Sequence, residues 1–264
     1  MSLRISRREA LSWALASAAL GCRSESRKAP SVAVSAAPSA LAWGGLDVAH
    51  VSQMRDDERG GSVVVLLHGF GARGDDLVSL AQALQVPRAR FILPAAPLAL
   101  AGGGRAWWNI DAADRPRYAT DPQANAPSAP SAALDAARLA VQGVLRSALD
   151  RYVPDSLMLA GFSQGAMLSL DVALAAAPSV QRVAMLSGAL LVDAATRLDA
   201  FNGARPAVFI SHGHGDRRLP FAGGERARQA LEMRGFSVKF RDFEGGHEIP
   251  EAIVAELKSF LFPA

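Results

Sequence analysis

Residues 156–176 read SLMLAGFSQGAMLSLDVALAA, and the order of residue types in that stretch decides the fold. Ser156-Leu157-Met158-Leu159-Ala160 is an apolar run of strand length, and Gln164 to about Ala176 carries the apolar spacing of a helix. Between them lies Gly161-Phe162-Ser163-Gln164-Gly165, a Gly-x-Ser-x-Gly pentapeptide. A serine so placed sits on a tight strand-to-helix turn. Glycines flank it because such a turn has no room for side chains beside it. The turn exposes the hydroxyl, and the helix N-terminus favours negative charge developing there. The plain alternative is a glycine-rich turn at a helix start.

Working outward, the same alternation repeats. Val63-Val64-Val65-Leu66-Leu67 is apolar on both faces, as a central parallel strand must be. His68-Gly69-Phe70-Gly71-Ala72-Arg73-Gly74 follows as a glycine-rich loop, and Asp75 or Asp76 is placed to cap a helix reaching about Leu84. Further strands are expected at 90–93, 182–186, 207–211 and 237–241, with an opening antiparallel strand at 46–51. Helices are expected at 132–150, 224–234 and 250–262. Short apolar strands alternating with amphipathic helices imply an α/β architecture: a mostly parallel central sheet with helices on both faces. Residues 94–131 break the pattern. They hold Gly102-Gly103-Gly104, Trp107-Trp108 and six prolines, and read as an excursion over the top of the sheet.

The chain has 264 residues, half of them apolar and 20% charged, which excludes a coiled coil, a collagen-like chain and a mostly disordered one. Its formal charge of +3 comes from the N-terminus. Residues 1–30 hold Arg4, Arg7, Arg8, Arg23, Arg27 and Lys28 against Glu9 and Glu25, and the remainder is almost neutral. Nothing there forms a basic face for nucleic acid. Cys22 is the one cysteine, so neither an intrachain disulfide nor a cysteine-rich metal site is expected.

Residues 1–22 have the form of a signal peptide: a basic start, an apolar run over 10–21 and small residues at its exit. Ser6-Arg7-Arg8-Glu9-Ala10-Leu11 resembles a twin-arginine export motif, and Ala19-Leu20-Gly21-Cys22 resembles a bacterial lipobox. The resemblance implies a lipidated Cys22, hence attachment to a membrane rather than a span. Residues 23–42 read as a flexible tether, and 43–264 as one folded domain. The expected location is outside the cytosol, in the cell envelope or periplasm, lipid-anchored or else secreted.

A serine hydroxyl needs a base, and the base needs an orienting acid. Of the five histidines, His212, His214 and His247 follow Ser163. His247 stands after the last expected strand, between glycines and the closing helix, and is the chosen base. Asp216, just past the strand 207–211, is the chosen acid, with Asp193, Asp242 and Glu244 as competitors. Two N–H donors must hold the oxyanion. One is the amide of Gln164; the other is assigned to Phe70, with Gly69 or Gly71 as neighbours. His68 reads as a hydrogen-bonded structural residue. His212, His214 and Asp216 invite a metal reading, disfavoured because the interleaved glycines suggest turns.

These blocks resemble, in order, those of the phospholipase/carboxylesterase family of α/β-hydrolases, which includes the acyl-protein thioesterases. The carriers are Leu67-His68-Gly69-Phe70-Gly71, Gly161-Phe162-Ser163-Gln164-Gly165-Ala166, His212-Gly213-His214-Gly215-Asp216 with Leu219-Pro220, and Gly246-His247-Glu248. The resemblance implies an α/β-hydrolase fold, a Ser163–Asp216–His247 triad, and an oxyanion hole from the Phe70 and Gln164 amides. It also implies a serine carboxylesterase acting on small to medium-sized esters without cofactor or metal. No obligate protein partner is implied. Where the family usually has another glycine, this chain has Ala166.

Substrate contacts are expected from Trp107 and Trp108, which either wall an apolar pocket or fill core beneath the excursion. Phe70 and Phe162 are further candidates for apolar wall. Asn109 and Asp111 are candidates for polar contacts or for loop closure. Rival readings are a thioesterase or lysophospholipase, a feruloyl- or polyester-type esterase, a serine peptidase, and an anchored binding lipoprotein without activity.

Overall fold

The computed structural model describes residues 33–36, 43–110, 131–175, 178 and 180–263. The expected signal peptide, Cys22 and Asp111 lie outside these. The strands are β1 (Ala33–Ala36), β2 (Val48–Ser52), β3 (Ser62–Leu67), β4 (Ala89–Pro94), β5 (Leu98–Ala99), β6 (Arg105–Ala106), β7 (Ser156–Phe162), β8 (Arg182–Leu186), β9 (Ala207–Gly213) and β10 (Val238–Phe243). The helices are α1 (Val78–Leu84), α2 (Ser131–Tyr152), α3 (Gln164–Leu174), α4 (Val192–Ala200), α5 (Phe221–Glu232) and α6 (Glu251–Leu261).

Eight strands form one sheet in the order β1-β2-β4-β3-β7-β8-β9-β10. β1 and β2 are antiparallel to their neighbours, and all pairings from β4 to β10 are parallel. The period-two alternation of the strands divides the core. Val63, Val65, Leu67, Leu157, Leu159, Val183, Met185, Val208 and Ile210 face one layer, with α2, α3, α4 and α5 packed over them. Val64, Leu66, Met158, Ala160, Ala184, Leu186 and Phe209 face the other, covered by α1 and α6. Both faces are therefore dry, which is why these strands read as unbroken apolar runs.

Helix α3, which starts at the elbow after β7, is pinned by a buried carboxylate. Asp171 receives Arg138 of α2 at 3.0 Å and Arg197 of α4 at 2.7 Å. With both oxygens partnered, its charge is matched where an unpaired one would be severely costly.

Four sequence expectations need correction. Helix α4 was not foreseen; it buries only Ala194 and Leu198, too little to leave a visible period. Residues 33–36, placed within the tether, pair with β2 from Ala33↔Ser52 to Ala36↔Ala49 and complete an antiparallel edge. Neither Asp75 nor Asp76 caps α1 through its side chain; the Asp75 carbonyl accepts from Val78 N–H instead. Within the excursion, β5 and β6 form a small antiparallel ribbon around Gly102-Gly103-Gly104.

Candidate active site

The carboxyl ends of β3, β7, β8 and β9 converge on Ser163. Ser163 has φ +56° and ψ −116°, a conformation uncommon for a residue with a side chain. Its N–H donates to the Leu186 carbonyl at 2.9 Å, extending the β7–β8 ladder to the turn itself. Packing shows why glycine is needed on both sides. A methyl group on Gly165 would stand 2.1 Å from the Leu67 carbonyl oxygen, and one on Gly161 would stand 2.3 Å from the Gly165 carbonyl. The strand-to-helix turn is thus wedged against the end of β3.

The oxyanion loop lies on the other side of the same wedge. A Cβ on Gly69 would be 3.2 Å from Ser163 Cβ, so the backbone of 69–70 runs directly over the elbow. Gln164 is the first residue of α3, where helical amides have no acceptor within the helix. Phe70 is half-buried on the loop immediately after Gly69.

A buried polar network holds loop and elbow together, and sequence reasoning missed most of it. His68 is buried; its Nε2 accepts from Ala96 N–H at 2.9 Å, so Nδ1 carries the hydrogen and donates to the Gly69 carbonyl at 2.8 Å. Burial pushes the His68 pKa down, keeping the ring neutral. Trp107 Nε1–H donates to the His68 carbonyl at 2.9 Å. Gln164, with no exposed surface, accepts from Trp107 N–H at 2.9 Å and donates through Nε2 to the Trp108 carbonyl at 2.8 Å. Its side chain thereby ties the excursion to the elbow. Nothing in the sequence marks this, because the partners lie 56 and 57 residues apart.

Trp107 and Trp108 are each only 1% exposed and belong to the core layer of α2 and α3. In this structure both indoles pack within that core layer, beneath the excursion. Phe162 is half-buried and packs on the His247 ring at 4.8 Å between centroids. Asn109 is exposed.

The acid and the base come together on the adjoining loops. His247 Nδ1–H donates to Asp216 Oδ2 at 2.7 Å. Asp216 Oδ1 accepts the amides of Arg218 at 2.8 Å and Leu219 at 3.0 Å. Burial by itself would raise the Asp216 pKa. Hydrogen bonds from His212 and His247 outweigh it and hold the carboxyl well below the usual range, hence ionised. The contact between Phe162 and His247 brings the imidazole beside the elbow, since Phe162 directly precedes Ser163.

Glycines make this meeting of loops possible. Gly215 N–H donates to the Gly245 carbonyl at 2.8 Å, and a Cβ on Gly213 would lie 2.5 Å from the Gly246 carbonyl oxygen. The acid loop and the histidine loop thus zip backbone to backbone. The competing acids go elsewhere: Asp242 pairs with His214 at 2.9 Å, Asp193 lies in the first turn of α4, and Glu244 is exposed. His212 faces the Leu219 carbonyl and the Asp216 carboxylate, while His214 turns away to Asp242 and does not join them. Among the described residues no cluster of three or more His, Cys, Asp or Glu is placed to hold a metal ion.

A strained serine at a strand-to-helix elbow, beside a carboxylate-bound imidazole on a doubly covered parallel sheet, defines the class: an α/β-hydrolase. Residues 47–262 match the family model described as Phospholipase/Carboxylesterase, and the chain belongs to that family. It is 26% identical over 201 residues to acyl-protein thioesterase 1 of Neurospora crassa, covering 70% of this chain and 80% of that protein. It is 25% identical over 213 residues to a probable carboxylesterase of Oryza sativa subsp. japonica, covering 77% of each. The crystal structure of esterase PE8 superposes with a TM-score of 0.69 at 27% identity, covering 82% of this chain and 97% of that one. The chain is accordingly an enzyme of the carboxylesterase/phospholipase type.

Proposed function

We propose that the protein is a serine carboxylic-ester hydrolase working through an acyl-enzyme on esters of small to medium size. The observation that carries this reading is the 2.7 Å hydrogen bond between His247 Nδ1 and Asp216 Oδ2 beside the Ser163 elbow. Asp216 fixes the tautomer, so His247 Nε2 is the basic nitrogen. Ser163 Oγ adds to the ester carbonyl as its proton passes to Nε2. The Gln164 and Phe70 amides hold the oxyanion. Collapse of the adduct breaks the bond to the alkoxy oxygen, which leaves with the proton from Nε2. Water then gives a proton to Nε2 and adds to the acyl-enzyme, and that proton returns to Ser163 Oγ as the carboxylic acid departs.

Export, read from residues 1–22, supports an ester met outside the cytosol rather than an intracellular S-acylated protein. The test is a panel of p-nitrophenyl esters of graded chain length, feruloyl esters, acyl thioesters and peptide amides, with Ser163→Ala as control. Ester turnover should exceed amide turnover by orders of magnitude. Ser163→Ala should lose at least about a thousandfold in kcat while its melting temperature stays near that of the parent, and a fluorophosphonate should label only the parent. Undiminished turnover by folded Ser163→Ala would remove the serine from the mechanism.

A further inference from the structure

We infer that His212 is a positioning residue, a second imidazole donor that holds the Asp216 carboxylate in line with His247. This rests on the triad reading above and adds a residue to it. His212 is the next-to-last residue of β9 and has no exposed surface. Its Nε2 lies 2.9 Å from the Leu219 carbonyl oxygen and 3.3 Å from Asp216 Oδ2. Both neighbours are acceptors, so Nε2 carries the hydrogen and shares it between them. Oδ2 is the same oxygen that receives the His247 proton. Asp216 thus has four donors: two amides on Oδ1 and two imidazoles on Oδ2.

The surroundings of His212 leave the ring one orientation. Its Nδ1 is buried with no hydrogen-bond partner, so a hydrogen placed on that nitrogen would be buried unsatisfied, whereas one on Nε2 meets two acceptors. The ring therefore serves as a donor through Nε2. Gly224 of α5 makes room for that edge: a Cβ there would stand 2.7 Å from Nδ1. Phe221, also of α5, meets the ring edge-on at 6.0 Å. Asp216 is the charged group within ion-pair distance of His212, and His247 lies across the same carboxylate. Without the Nε2 hydrogen, Oδ1 stays anchored while Oδ2 is held only by the base it is meant to orient.

The consequence for the base has a definite sign. A donor on Oδ2 spreads the carboxylate charge and weakens its hold on an imidazolium. Removing that donor strengthens this hold, and the acid limb of kcat/KM moves to higher pH. It also loosens the imidazole, which lowers kcat more than it changes KM.

The experiment compares His212→Leu with His212→Gln, whose side-chain amide can donate from nearly the same place. Kinetics on a p-nitrophenyl ester and proton NMR of the low-field His247 Nδ1–H resonance are read on both. For His212→Leu we expect kcat to fall about tenfold to a hundredfold, KM to stay within about twofold, the acid limb to rise by about half a pH unit and the resonance to shift. His212→Gln should recover most of each change. If His212→Leu fails to fold, Gly224→Ala pushes the same ring and should move the acid limb in the same direction. An unmoved acid limb and resonance in a folded variant would overturn the role of His212, as would equal losses in the Leu and Gln variants. A wild-type protein without the low-field resonance would instead sink the triad reading itself.

Discussion

The side chain of Gln164 should become a pH-dependent stability switch when it is replaced by glutamate. In the native protein its Oε1 accepts from Trp107 N–H and its Nε2 donates to the Trp108 carbonyl, with no exposure to water. Gln164→Glu keeps shape and acceptor but exchanges the donor for a second oxygen. When ionised, that oxygen faces a carbonyl oxygen in a buried site; when protonated, its O–H can replace the lost N–H. The folded-state pKa must therefore rise far above the unfolded value of about 4.3. A rise of about 3 units corresponds to ~4 kcal/mol. Because the folded pKa is raised, stability is retained below about pH 4.3 and lost as pH climbs toward the elevated value. Urea melts of variant and parent at pH 5 and pH 8, compared at each pH, give the measurement. The variant should lie within about 1 kcal/mol of the parent at pH 5 and fall ~3 to 4 kcal/mol below it at pH 8. A deficit that is equal at both pH values, or absent at pH 8, would refute the bidentate clamp.

Two further outcomes follow from the packing. Gly165→Ala drives a methyl group to 2.1 Å from the Leu67 carbonyl oxygen, a contact with backbone that cannot rotate away; thermal melts should show a loss of about 3 kcal/mol or more, with ester turnover falling in parallel. Burial pushes the His50 imidazole down from 6.5 to about 4, so the unfolded chain takes up a proton in that window that the fold refuses. Stability from this group is complete above pH 6.5 and declines as pH falls toward 4, by about 3 kcal/mol in all. His50→Phe should therefore lose ~2 to 3 kcal/mol less than the parent between pH 7.5 and pH 4.5, measured by urea denaturation at both pH values.

The parts of the site that could be read in the sequence are those built from neighbours along the chain. Ser163 between glycines, with a strand before it and a helix after it, has one geometry open to it, and the structure shows that geometry in the positive φ of Ser163. The central strands were legible because both faces are covered. Asp216 and His247 were reachable by chain order and by their place at strand ends. What escaped depends on partners remote in sequence. The Gln164 amide, the Trp107 indole and the second imidazole on Asp216 gain their meaning only when loops from different strands meet. The two tryptophans show the limit from the other side: a Trp pair in a proline-bounded segment is compatible with a pocket wall or a core, and the pattern along the chain does not choose between them. Helix α4 was invisible because its buried face is two residues wide.

The alanine at 166 has a partner across the interior. A Cβ on Gly188, one residue past the strained Ser187, would fall 2.6 Å from the Ala166 methyl, while its next neighbours stand at an ordinary 3.5 Å. One carbon atom fits in that gap, and here residue 166 supplies it. The two positions are therefore a single slot with two doors: Gly188→Ala alone should jam it, and Ala166→Gly made together with it should reopen it. A search that changes one site at a time would record Gly188 as untouchable, whereas a paired exchange would move the filling atom to the other side with the helix and the nucleophile turn left where they are.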